Sequence, residues 1–197
     1  MKAGFILMGM LTGLKRLDKI KNWSAYRGGG FRNAETLGKY KVEYYNDDFG
    51  HAILFWSPQK PCLVYYIDGE EAVMQILNYD KGCTIDGKMQ KGDGTKEMVR
   101  FSFDYLRSRN VKKVYLTDAS TIDCNGKQAS LAEFYFYRYG KTWYEINFGF
   151  KPRSQDIEYY TDAERIRRKM PLGLTCIDFV GRGKFPSLAG IVWELIL

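Results

Sequence analysis

Short apolar runs alternate with turn signals over the first half of the chain. Residues 40–45, 52–56, 62–67 and 72–78 are rich in aromatic and β-branched side chains, and Asn46-Asp47-Asp48, Ser57-Pro58 and Asp68-Gly69 separate them. That pattern predicts strands joined by tight turns, an antiparallel meander. From Thr95 the period lengthens: Met98, Val99, Ser102, Phe103, Tyr105 and Leu106 share one face of a helix ending near Arg109-Asn110. A strand is expected over 111–117, and a second helical stretch over 131–147, interrupted at Gly140. Thr161-Asp162-Ala163-Glu164 has the spacing of a capping box and predicts a short basic helix that stops at Pro171. Closing strands are expected over 174–180 and 191–197. This order predicts an α+β fold, an α/β sandwich built on a mixed, largely antiparallel sheet flanked by helices.

Residues 5–14 are apolar for ten positions, half of the roughly twenty that a helix needs to cross a bilayer. The basic run 15–21 follows the apolar stretch, whereas a secretory signal carries its positive charge ahead of it. The stretch therefore reads as a docked helix or strand, or as an N-terminal arm that buries its apolar face on a partner. Gly28-Gly29-Gly30 would then act as a flexible joint. The expected organisation is an arm and linker over 1–38 and a single α/β domain over 39–197.

At 45% hydrophobic and 27% charged residues, the 197-residue chain falls in the globular range. Lys and Arg total 30 against 23 Asp and Glu, a net charge of +7 that favours acidic partners. The basic residues are spread over 15–21, 88–100, 107–113 and 165–169, which reads as a solvated face and argues against dedicated nucleic-acid binding. Aromatics reach 16%, and Phe134-Tyr135-Phe136-Tyr137 fits a strand or a helix period equally, leaving core and interface both open.

Cys62, Cys83, Cys124 and Cys176 are far apart, and His51 is the single histidine, so no zinc-ligand spacing is present. Reduced thiols in a cytosolic setting are the expectation, and no motif supports a Cys-His nucleophile pair. Gly140-Lys141-Thr142 is not a P-loop, because position 135 is Tyr. Asp68, Glu70 and Glu71 offer carboxylates near the sheet, with nothing in their spacing to set one apart from a solvated turn. Gly140 would break one helix, Thr142 cap the next, Trp143 and Phe148 plug the core, and Gly149 stop the helix ahead of Pro152.

Gln90-Lys91-Gly92-Asp93-Gly94-Thr95 stands between a strand region and a helix, where backbone amides and the helix dipole can receive a pyrophosphate. With the strand 111–117 and the run Trp143-Tyr144-Glu145-Ile146-Asn147-Phe148-Gly149-Phe150, residues 72–152 resemble the core of the GNAT acetyltransferase superfamily. The resemblance implies a GNAT-like fold and an acetyl-CoA loop made of Gln90, Lys91, Gly92, Gly94 and Thr95. It also implies Tyr144 as the general acid for the departing thiolate, a role that a phenol with a pKa of about 10 suits. Residues 119–130 replace the short connection usual in that family.

A second resemblance is carried by Leu116-Thr117-Asp118-Ala119-Ser120, Leu131-Ala132-Glu133-Phe134-Tyr135 and Tyr139-Gly140-Lys141-Thr142-Trp143-Tyr144-Glu145-Ile146-Asn147-Phe148. These segments resemble a block found in proteins of the nucleocytoplasmic large DNA viruses. That likeness implies a non-enzymatic virion component, a minor capsid protein of a large icosahedral DNA virus on a degenerate GNAT-like scaffold, with no cofactor and no metal. Such a protein is made in the host cytoplasm and ends in the virion. It would meet other capsid proteins through its N-terminal arm and aromatic surface, and an anionic membrane or the genome through its basic face. The alternative is an acetyl-CoA-dependent N-acetyltransferase. The loop is one residue shorter than that family's, and Asp93 sets an anion where the diphosphate would lie, which favours the capsid reading.

Overall fold

A computed structural model describes residues 31–37, 40–47, 50–56, 61–77, 93–170, 173–181 and 185–197. The apolar stretch 5–14, the glycine joint 28–30, Cys83 and loop residues Gln90, Lys91 and Gly92 lie outside them. The described chain is α+β, with mostly antiparallel strands, and its described residues divide into two units: residues 31–115 with 196–197, and residues 116–195.

In the first unit the expected meander forms. β1 (Phe31–Leu37), β2 (Tyr40–Asp47), β3 (Gly50–Trp56), β4 (Pro61–Asp68) and β5 (Glu71–Leu77) pair antiparallel in chain order. Alternation in the sequence did not single out β1, whose residues are mostly polar. Cys62, Leu63, Val64, Tyr65 and Ile67 of β4 are all buried, so β4 is covered on both faces rather than on one. α1 (Asp93–Ser108) follows, then β6 (Lys113–Leu116), which pairs parallel to β5. A parallel pair needs a crossover, and α1 lies in it. α1 buries the face read from its period: Met98, Val99, Ser102, Phe103, Tyr105 and Leu106. Ser102 is the polar member of that face. Its hydroxyl donates to the Val99 carbonyl at 2.6 Å and shares a hydrogen bond of 2.7 Å with the Tyr65 hydroxyl of β4, so both buried polar groups are satisfied.

The second unit is built around an aromatic core. Residues 119–130, read as an insertion in place of a short connection, form a hairpin of β7 (Thr121–Cys124) and β8 (Lys127–Ser130). Its two-residue turn has both Asn125 (φ 58°) and Gly126 (φ 84°) in the left-handed region, the conformation of a type I′ turn. α2 (Leu131–Tyr139) and α3 (Trp143–Phe148) follow, divided at Gly140 as expected. β9 (Lys151–Pro152) pairs antiparallel with β10 (Trp193–Ile196), the second of the two expected closing strands.

Two expectations fail here. The helix α4 (Ile157–Arg167) begins ahead of Thr161, whose hydroxyl donates to the Ile157 carbonyl one turn back instead of capping an N-terminus. A 3-10 turn over Ser154–Asp156 leads into α4, and the Asp156 carboxylate accepts from Val192 N–H at 3.1 Å, so the chain is already turning before position 161. Residues expected as a strand from 174 form helix α5 (Cys176–Gly181). Thr175 supplies the cap: its hydroxyl accepts from Asp178 N–H at 3.1 Å, and the Asp178 carboxylate accepts from Thr175 N–H at 3.2 Å. That reciprocal pair outweighs the β-branched composition of the segment.

Candidate functional site

The segment from Gly140 to Tyr160 is the most constrained part of the second unit. Gly140 adopts φ 79° and its N–H donates to the Phe136 carbonyl at 2.7 Å, ending α2 in the left-handed cap that glycine adopts without strain. Thr142 then opens α3 in a full capping box: its hydroxyl accepts from Glu145 N–H, and the Glu145 carboxylate accepts from Thr142 N–H at 2.7 Å. The other Glu145 oxygen accepts from the Tyr160 hydroxyl of α4 at 2.8 Å. One carboxylate therefore caps α3 and fastens α4 to it. Burial pushes the Glu145 carboxyl above its ordinary range, against the lowering effect of its bonds to Thr142 and Tyr160. The Tyr160 hydroxyl is pushed up as well, by burial and by the facing carboxylate.

Tyr144 lies in α3 with 8% of its surface exposed. Trp143 packs edge-on against its ring at 5.0 Å between centroids, and Phe148 and Phe150 follow at 6.2 and 5.8 Å. Trp143 and Phe148 were expected to plug the core, yet both are only half-buried, and it is Tyr144, with Phe136, Tyr137, Phe150 and Trp193, that fills it. The reason is rotational phase: Thr142 as cap fixes where α3 begins, and that start points position 144 inward. Of the loop proposed for acetyl-CoA, Gly94 and Thr95 stand in the first turn of α1, in the unit that does not contain Tyr144.

Sequence reading missed Asp118, which follows β6. Ser120 N–H donates to its Oδ1 at 3.0 Å and the Ser120 hydroxyl donates to the same oxygen, while Oδ2 is closed off from solvent with no hydrogen-bond partner among the described residues. Burial raises its pKa above the usual carboxylate range, and the two bonds from Ser120 oppose that shift. A carboxyl held in this way can take or give a proton nearer neutrality than an exposed one. Asp-x-Ser at the end of an apolar strand was the available signal.

In the first unit, Glu35 of β1, Tyr44 of β2 and Tyr105 and Arg109 at the end of α1 converge. The Arg109 guanidinium lies over the Tyr44 ring at 4.6 Å and the Tyr105 ring at 5.3 Å, and donates to Glu35 Oε1 at 3.0 Å. Tyr105 donates to the same oxygen at 2.6 Å, and the Tyr44 hydroxyl donates there too. Donors and acceptor satisfy one another, so this is a clasp between the sheet edge and α1 rather than an open site.

The cysteines overturn the expectation of reduced thiols. Cys124 at the end of β7 and Cys176 at the start of α5 form a disulfide with Cα atoms 5.4 Å apart, and Cys62 is also disulfide-bonded. A separation of 52 residues hides that pairing from any spacing rule. Among the described residues no cluster of His, Cys, Asp or Glu is arranged to hold a metal, and no helix is long and apolar enough to cross a membrane.

No protein-family model, curated protein or solved structure matches this chain.

Proposed function

We propose that this chain is a non-enzymatic virion component, a minor capsid protein of a large icosahedral DNA virus, on a degenerate GNAT-like α/β scaffold. The observation that carries the reading is the Cys124–Cys176 disulfide. Disulfides persist in oxidising surroundings, virion surfaces among them, and are rare in a reducing cytosol. Made in the host cytoplasm, the chain would acquire this bond as it leaves that compartment for the particle. Two further features support it. Tyr139, Ile146, Ile157, Tyr159, Ile166 and Ile177 keep between 37% and 62% of their surface exposed, apolar area of the kind that neighbouring subunits cover. Tyr144 and Glu145 are occupied in packing and capping, the roles a scaffold gives them. The arm 5–14 and the aromatic surface would meet other capsid proteins, and the basic face an anionic membrane or the genome.

Deleting residues 1–14 should leave a folded chain that fails to enter particles. Normal incorporation of that truncation would remove the arm from the reading, and absence of the full chain from purified particles would remove the reading itself.

A second reading, an acetyl-CoA-dependent N-acetyltransferase, is favoured by one observation: α1 starts at Asp93, within the loop, so that Gly94 and Thr95 form its first turn, and its sixteen residues give a full helix dipole. Calorimetry with acetyl-CoA separates the two. Micromolar binding lost in Gly94→Glu supports the enzyme; no heat of binding supports the capsid protein.

A further inference from the structure

The outer edge of β8 carries unused backbone groups. In the β7–β8 ladder the pairs Cys124–Lys127 and Ile122–Ala129 flank the two-residue turn in alternation with Asp123–Gln128 and Thr121–Ser130. Leu131 N–H donates to the Ser120 carbonyl at 2.9 Å, which fixes the phase of the alternation. Hydrogen-bonded pairs are therefore 124–127, 122–129 and 120–131, and the N–H and C=O of Gln128 and the N–H of Ser130 point away from β7. They have no backbone partner among the described residues. A groove of about 470 Å³ runs along this edge. All four residues of β8 line it, as an edge does and a single face cannot, with Glu133, Phe179, Val180 and Phe185. Phe179 and Phe185 stack at 4.6 Å, giving the groove an aromatic wall.

We propose that this edge receives the apolar N-terminal segment of a neighbouring copy as an added strand. The proposal rests on the capsid reading of that segment as an arm. Bare N–H and C=O groups two residues apart recognise an extended backbone, and the aromatic wall selects apolar side chains on it. Phe5-Ile6-Leu7-Met8, bracketed by Gly4 and Gly9, is an uncharged apolar run of the same four-residue length as β8. A second β8 in that place would instead set Lys127 and Gln128 against the phenylalanines. The 22 residues between Met8 and β1 span up to about 75 Å when extended, enough to reach an adjoining subunit.

Hydrogen exchange followed residue by residue, on the full chain and on a chain lacking residues 1–14, tests this. The Gln128 and Ser130 amides should exchange about tenfold slower in the full chain, with protection that grows with protein concentration and tracks association in sedimentation. The Lys127 and Ala129 amides, inside the hairpin ladder, should be unchanged and report that the hairpin is intact. Gln128→Pro, which removes the N–H, should abolish association with the circular dichroism spectrum retained. Equal exchange in the two chains, or protection independent of concentration, would overturn the proposal. If exchange is equal while the truncation still fails to enter particles, the groove is wrong and the capsid reading stands.

Discussion

Removing the Cys124–Cys176 bond should cost this protein a large part of its stability. The bond closes a loop spanning 52 positions, and in the chain-entropy treatment such a cross-link takes about 14 cal/mol/K from the unfolded ensemble, or about 4 kcal/mol at 25 °C. The substitutions should add little strain of their own. Cys124 is 3% exposed, so Ala is the replacement that avoids burying a hydroxyl, whereas Cys176 is half-buried and accepts Ser. The variant Cys124→Ala/Cys176→Ser should therefore unfold in urea with a free energy about 4 kcal/mol below that of the unreduced wild type. The loss should be concentrated in residues 116–195, where both cysteines lie. Adding a reductant to the wild type is the weaker experiment, because Cys62 is also disulfide-bonded and both bonds would open. Peptide mapping without reductant should recover residues 124 and 176 in one linked fragment. A variant within about 0.5 kcal/mol of the wild type, or an unlinked fragment pair from the untreated chain, would refute the reasoning and remove the main support for an oxidising destination.

Glu145→Ala should destabilise by about 2–4 kcal/mol, combining a lost helix cap with a buried Tyr160 hydroxyl left unpaired. Glu145→Gln should cost much less, and equal losses in a denaturation series would show that the carboxylate does not join α3 to α4. Asp118 titrates with a folded pKa above its unfolded value of about 3.9. Its folded state binds the proton more tightly, so this favourable term is complete below the unfolded pKa and fades as pH rises through the folded one. Urea midpoints of the wild type should consequently fall relative to Asp118→Asn from pH 4 upward, and parallel pH profiles would rule the shift out. Gly140→Ala should cost about 1–2 kcal/mol through backbone strain alone, since the nearest atom to an added Cβ, Arg167 Nε, is 3.7 Å away; an unchanged melting temperature would contradict it.

Local physics was legible in the residues. The apolar runs of 40–78, bounded by turn residues, became β2 to β5, and the 3.6-residue period after Thr95 became α1, because a run of buried positions and a one-sided helical face each leave their pattern in the sequence. Gly140, Thr142 and Gly149 marked the limits of α2 and α3, since a left-handed cap and a capping box involve only neighbours within a turn. The same local rule also misled. Ser/Thr followed three residues later by an acid holds at Thr142 and Thr175 and fails at Thr161. There the chain has already been turned into a helix by the Ser154–Asp156 turn, whose Asp156 is tied to Val192 across 36 residues of sequence. Asn125-Gly126 was a readable hairpin signal that the surrounding polar residues concealed.

What the sequence determined by itself was therefore the α+β class, the meander and the helix caps, each set by interactions among residues a few positions apart. Tertiary structure decided the rest: the Cys124–Cys176 pairing, the inward phase of Tyr144, the joining of Glu145 to Tyr160 and the buried, half-satisfied carboxyl of Asp118. Each of these depends on which distant segments share a volume closed to water. Burial and pairing across that volume leave no periodic trace along the chain.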